Sequence, residues 1–196
     1  MEYPEKWNQP PKHERKELKR RYGIIGAICL AVLLGGYWLI KEVSKPQPGE
    51  FVASLGNKHI QNIADAHDPY NSLPPTSGTH VGGKAQWGIS DSPIPDELQL
   101  HNLEDGGVIV QYNCTPGAEP QNQATPGAQV QDECKKLVEN LAGIVKKYSD
   151  KVLMAPYPKL DTRIALTAWT RLDKFNDFDK ERIQKFVKAF RGIDHH

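Results

Sequence analysis

Gly106-Gly107-Val108-Ile109-Val110-Gln111-Tyr112 is the stretch from which the fold of this chain is read. A glycine pair interrupts the chain, and a short apolar, β-branched run follows it, the pattern of a buried strand. Downstream, residues 115–127 are rich in Pro, Gly, Gln and Asn and read as an exposed loop. Between residues 129 and 148, Val130, Cys134, Leu137, Val138, Leu141 and Val145 recur at helical spacing and predict an amphipathic helix. Residues 151–155 and 163–169 predict two more strands. Asp177 or Asp179 can cap a last helix whose apolar face is Ile183, Phe186, Val187 and Phe190. The order strand, helix, strand, strand, helix predicts an α+β fold, a small α/β sandwich.

Upstream of the strand the chain changes character. Residues 70–95 form a long Pro/Gly-rich loop, and loops of that length in compact domains carry function or lack order. Tyr70, His80, Trp87 and Ile89 within it point to packing. Earlier still, Ser44-Lys45-Pro46-Gln47-Pro48-Gly49 reads as a stalk. Before the stalk, residues 24–40 are almost unbroken apolar sequence, with no charge between Arg21 and Lys41. About 20 such residues cross a bilayer core of ~30 Å. A cleaved signal peptide would be shorter, and Gly35-Gly36-Tyr37 makes a poor cleavage site. A buried core helix would carry a polar face. The segment therefore reads as a transmembrane anchor.

Lys12, Arg15, Lys16, Lys19, Arg20 and Arg21 precede the anchor, whereas the charges after it nearly cancel. The positive-inside bias places the N-terminus in the cytoplasm and the remainder outside, on a cytoplasmic or inner membrane. The expected organisation is a basic cytoplasmic tail over residues 1–22, a transmembrane helix over 23–41 and a stalk over 42–58. An extracytoplasmic domain follows over 59–191, with an unstructured end over 192–196 in which His195 and His196 face solvent. The 196 residues carry a formal net charge of +1, which excludes the basic face that nucleic-acid binding requires. Of the cysteines, Cys29 lies in the span and reads as a small apolar residue. Cys114 and Cys134 lie outside the cytoplasm, where thiols oxidise, and predict a disulfide across the exposed loop. Free thiols and thiol chemistry are the alternatives, without a C-x-x-C spacing to favour them.

Chemistry-bearing residues concentrate in two segments, Tyr70-Asn71-Ser72-Leu73-Pro74-Pro75-Thr76-Ser77-Gly78-Thr79-His80 and His101-Asn102-Leu103-Glu104-Asp105-Gly106-Gly107-Val108. Together they resemble the bacterial domain-of-unknown-function 3105 family. Its hallmark is a Tyr-Asn-Ser-x-Pro-Pro-Thr-Ser-Gly-Pro-His stretch followed by His-x-Leu-Glu-His-Gly-Gly-Val. The resemblance extends from about residue 50 to 191 and takes in His59-Ile60, the segment Ile164–Arg171 and the last helix. It implies an anchored extracytoplasmic domain and leaves activity open. Two positions depart from the pattern: Asp105 stands where the family has His, and Thr79 where it has Pro. The loss of one imidazole favours a harder ion than Cu(I).

His80, His101, Glu104 and Asp105 are the candidate metal ligands, with His59 and Met154 in reserve, and copper or zinc is the ion they suggest. The competing reading makes each histidine a scaffold residue bonded to backbone, and Met154 a core residue. If residues 101–105 are extended, Glu104 and Asp105 point to opposite faces and form no proton-sharing pair. Nucleotide-binding, nucleophile-elbow, Walker and zincin motifs are missing from the sequence, so no enzyme is indicated. An enzyme acting on envelope material would rest on the His–carboxylate cluster alone. The reading preferred from sequence is a membrane-anchored accessory or assembly subunit, with the bilayer and other membrane subunits as partners. A tethered copper- or zinc-handling module is the alternative.

Overall fold

The computed structural model describes residues 12–43, 46–115 and 128–196. Most of the exposed loop at 115–127, the start of the basic tail and part of the stalk lie outside the described residues. Helix α1 spans Lys12–Val43. Within Arg15–Lys41 an 18-residue stretch has a mean hydropathy of 2.2 and none of that stretch is buried, so the helix is long and apolar enough to cross a membrane.

Residues 47–196 form a separate compact unit. Its short strands are β1 (Glu50–Phe51), β2 (His59–Ile60), β3 (His80–Val81) and β4 (Gly88–Ile89). Helix α2 (Asp96–Glu104) leads into β5 (Val108–Tyr112). Then come α3 (Ala128–Val145), β6 (Val152–Pro156), β7 (Ile164–Ala168), β8 (Arg171–Phe175) and α4 (Lys180–Phe190). Among the described residues, six strands form a mixed sheet in the order β1-β8-β7-β5-β6-β4, and β2 pairs with β3 apart from it. β5 runs parallel to β6 and antiparallel to β7.

The period of two along β5 divides the core. Val108 and Val110 point to one face, with Met154, Ile164 and Leu166. There they meet Leu137, Leu141 and Ile144 of α3 and Ile183, Phe186 and Val187 of α4. Ile109 and Leu153 point to the other face, against Leu100 and Leu103 of α2, with Trp87, Tyr70 and Trp169 packed beside them. The sheet is thus covered on both sides, as buried parallel pairs require. A polar chain fastens α2 to this second face. Gln111 Nε2 donates to Gln99 Oε1 at 2.9 Å, and Thr167 Oγ1 donates to Gln111 Oε1 at 3.3 Å.

Three expectations change. Residues 101–105, taken as extended, are instead the last turn and C-cap of a helix over 96–104: Gln99, Asn102 and Glu104 are buried beside Leu100 and Leu103, so the helix carries no single apolar stripe to reveal it. Glu50–Phe51, placed in the stalk by composition, pair with Leu172 and Arg171 as an edge strand. The end at 192–196 lies against the domain. Gly192 N–H donates to Gly106 O at 2.8 Å and His195 N–H to Glu104 O at 2.9 Å. Gly106 permits this approach: its φ is +78°, and a Cβ there would fall 2.7 Å from the Ile193 carbonyl oxygen.

Candidate metal centre

Parallel pairing of β2 with β3 sets His59 opposite His80. Register partners on adjacent parallel strands share a face, about 4.7–4.9 Å apart, and the two imidazole centroids are 4.6 Å apart. His80 is fully buried, whereas the His59 side chain is 45% exposed. Tyr70 Oη donates to Thr79 O at 2.7 Å and holds the turn before His80. The Nδ1 of His80 lies 2.8 Å from Gly78 O. A carbonyl only accepts, so Nδ1 donates this bond, and Nε2 faces inward toward Glu104.

The last turn of α2 supplies the opposite side. His101 and Glu104, at i and i+3, fall on one helix face. Glu104 Oε2 lies 2.9 Å from His80 Nε2, 3.2 Å from His59 Nε2 and 3.6 Å from His101 Nδ1. The Nε2 atoms of His59 and His80 are 3.1 Å apart. The other carboxylate oxygen accepts from Asn57 Nδ2 at 2.7 Å. His101 Nδ1 is buried and has no hydrogen-bond partner.

The group carries one buried carboxylate and three imidazoles that could hold a metal ion. Burial pushes Glu104 up, but hydrogen bonds from Asn57 and His80 outweigh it and hold the carboxyl below its usual value. A buried carboxylate needs a compensating charge. It also sits at the C-terminal end of a helix, where the partial negative charge of the carbonyls disfavours an anion and favours a cation. Burial lowers His101, with Asp105 opposing it, so this imidazole is neutral near pH 7 and keeps a lone pair for a metal.

The other candidates fall in different places. Asp105 stands outside the inner group. Its Oδ1 is 3.9 Å from His101 Nε2 and accepts from His196 Nε2 at 2.8 Å, while Lys84 binds Oδ2. Burial raises Asp105, but the bonds from Lys84 and His196 prevail and hold it at about 2. Met154 is fully buried in the core against α3 and α4, on the sheet face opposite α2. The sulfurs of Cys114 and Cys134 lie at disulfide distance, with Cα atoms 5.3 Å apart. Sequence reasoning missed Asn57, Trp169 and His196. Trp169, in the β7–β8 turn, sets its ring edgewise to His80 and stacks on His195. The spacing His101-x-x-Glu104 was the available signal, since i and i+3 ligands imply a helix.

The fold and the side-chain cluster define a class: a mixed α/β domain carrying three histidines and a glutamate at one focus, behind an apolar N-terminal helix. The chain belongs to the family described as protein of unknown function (DUF3105), whose profile matches residues 63–195. His80, His101 and Glu104 lie inside the match, and His59 lies just before it. Comparison with curated proteins and with solved structures gives no match.

Proposed function

We propose that this protein is a membrane-tethered binding module for a divalent metal ion of the zinc type, held by His59, His80, His101 and Glu104. One observation carries the reading. Four ligands at about 2.0–2.1 Å around a tetrahedral zinc stand about 3.3 Å from one another. Four of the six separations are 2.9, 3.1, 3.2 and 3.6 Å, and the two from His101 to the other imidazoles lie within 4.8 Å. The His80 Nδ1–Gly78 contact is the outer bond that fixes a ligating imidazole, and the unpartnered His101 Nδ1 gains a bond only when a cation arrives. Imidazole and carboxylate suit zinc or Cu(II), and with Met154 in the core no sulfur favours Cu(I).

An accessory subunit would present residues 70–95 to a partner. Thr76, Ser77 and His80 are instead buried in their own domain, and Tyr70 and Trp87 pack on Ile109 and Leu153. The basic residues in the first turns of α1, ahead of its apolar stretch, favour the N-terminus inside, and the paired cysteines suit an oxidising exterior. The module then buffers or delivers metal on the outer side of the membrane.

Calorimetric titration of the metal-free full chain in detergent, with elemental analysis, tests this. One tightly held zinc per chain is expected, weakened more than tenfold by His80→Ala. No binding at micromolar zinc refutes the proposal.

A further inference from the structure

We infer a second, shallower cation site on the outer edge of the first, formed by His101 Nε2, Asp105 and His196, with the His101 ring bridging the two ions. This rests on the inner group being a metal centre. His101 has ring nitrogens on two edges, and the structure gives each a different group to face. Nδ1 points to Glu104, and Nε2 lies 3.9 Å from Asp105 Oδ1. His196 Nε2 reaches the same Oδ1 at 2.8 Å, and its ring is 5.8 Å from that of His101. One ligand atom from each of the three residues lies within 4.8 Å of the others. Lys84 takes Asp105 Oδ2, which leaves Oδ1 directed at the imidazoles.

His196 is presented by fixed contacts. Gly192 N–H bonds to Gly106 O, His195 N–H bonds to Glu104 O, and the His195 ring stacks on Trp169 with centroids 5.9 Å apart. The approach of Ile193 needs the missing Cβ of Gly106. Gly106 therefore serves the outer site as well as the turn into β5. The carboxylates divide between the ions, Glu104 inside and Asp105 outside. His196 is 47% exposed, so water completes the outer shell and that ion exchanges faster. When both ions bind, the hydrogen on His101 leaves to solvent and the second ion takes its position. The ligand class is again zinc or Cu(II).

The test is stoichiometry and spin coupling in the full chain, in detergent, titrated with zinc and separately with Cu(II). The parent is expected to hold two ions of either metal. At two equivalents of copper, its electron paramagnetic resonance spectrum should be that of an exchange-coupled pair. His196→Ala and Asp105→Asn should each hold one ion, with the spectrum of an isolated copper. One ion in the parent, unchanged in His196→Ala, overturns the outer site and leaves the inner one standing. Two ions without coupling overturn the bridge. No ion at all overturns the inner centre and this inference together.

Discussion

Glu104 places a carboxylate with no solvent exposure among three imidazoles, and the proposed cation site rests on that arrangement. Glu104→Gln preserves the shape and removes the charge. Zinc affinity should fall more than tenfold, or about 1.4 kcal/mol, in competition with a chromophoric chelator. An unchanged affinity would remove Glu104 from the shell. Asp105 acts differently. Its folded-state value of about 2 lies below the ordinary 3.8. Its contribution to stability is therefore fully present above pH 4 and is lost as pH falls through 2. Thermal unfolding of the metal-free chain should show Asp105→Asn less stable than the parent at pH 6, with the gap closing near pH 2. Met154, read as a reserve ligand from its thioether, is a core residue. Met154→Ala should cost about 2–5 kcal/mol of stability and leave the zinc stoichiometry unchanged.

Among the elements, those with a clean period were legible in the sequence. β5, β6, β7 and α4 lie within a residue or two of their expected positions, and Asp179 caps α4 by accepting from Arg182 N–H at 2.9 Å. The expected helix at 129–148 is found as Ala128–Val145. α2 was not legible, because a short helix that buries Gln99, Asn102 and Glu104 has no polar face to contrast with an apolar one. That omission hid the site's geometry, since His101 and Glu104 converge only when residues 101–104 are helical. β8 was obscured by Arg171, Asp173 and Lys174; Asp173 pairs with Arg182 of α4 and is buried by it. The parallel pairing of His59 with His80 is a long-range contact that no local pattern encodes. Gly106→Ala introduces both a strained φ and a clash with the Ile193 backbone. It should destabilise by about 1–3 kcal/mol and loosen residues 192–196, seen as faster amide exchange there. Cys114 and Cys134, 20 residues apart, should be linked in a non-reducing peptide map. Cys134→Ser should then cost about 3 kcal/mol with metal binding retained, because neither sulfur belongs to a ligand group.

For the whole molecule, the apolar helix and the sheet domain carry separate tasks. Within Arg15–Lys41 an apolar stretch has the length and hydropathy of a span, and the proposed orientation follows from Arg15, Lys16, Lys19, Arg20 and Arg21 ahead of that stretch. Cysteine labelling of intact cells at positions after residue 46 should succeed without lysis; labelling only after lysis would reverse the orientation. The domain folds around a sheet covered on both faces, and its ligand group gathers β2, β3 and α2 on the side away from α3 and α4. Zinc should therefore raise the unfolding temperature of the full chain, since an ion bound only by the folded state stabilises it by mass action. The central claim is that three histidines and one glutamate bind one inner ion in a tetrahedron. X-ray absorption at the zinc edge, on the full chain loaded with one equivalent, tests it most directly. Four nitrogen and oxygen neighbours at about 2.0–2.1 Å are expected, with the outer-shell scattering of three imidazoles, reduced to two in His59→Ala. A six-coordinate oxygen shell without imidazole scattering would contradict it.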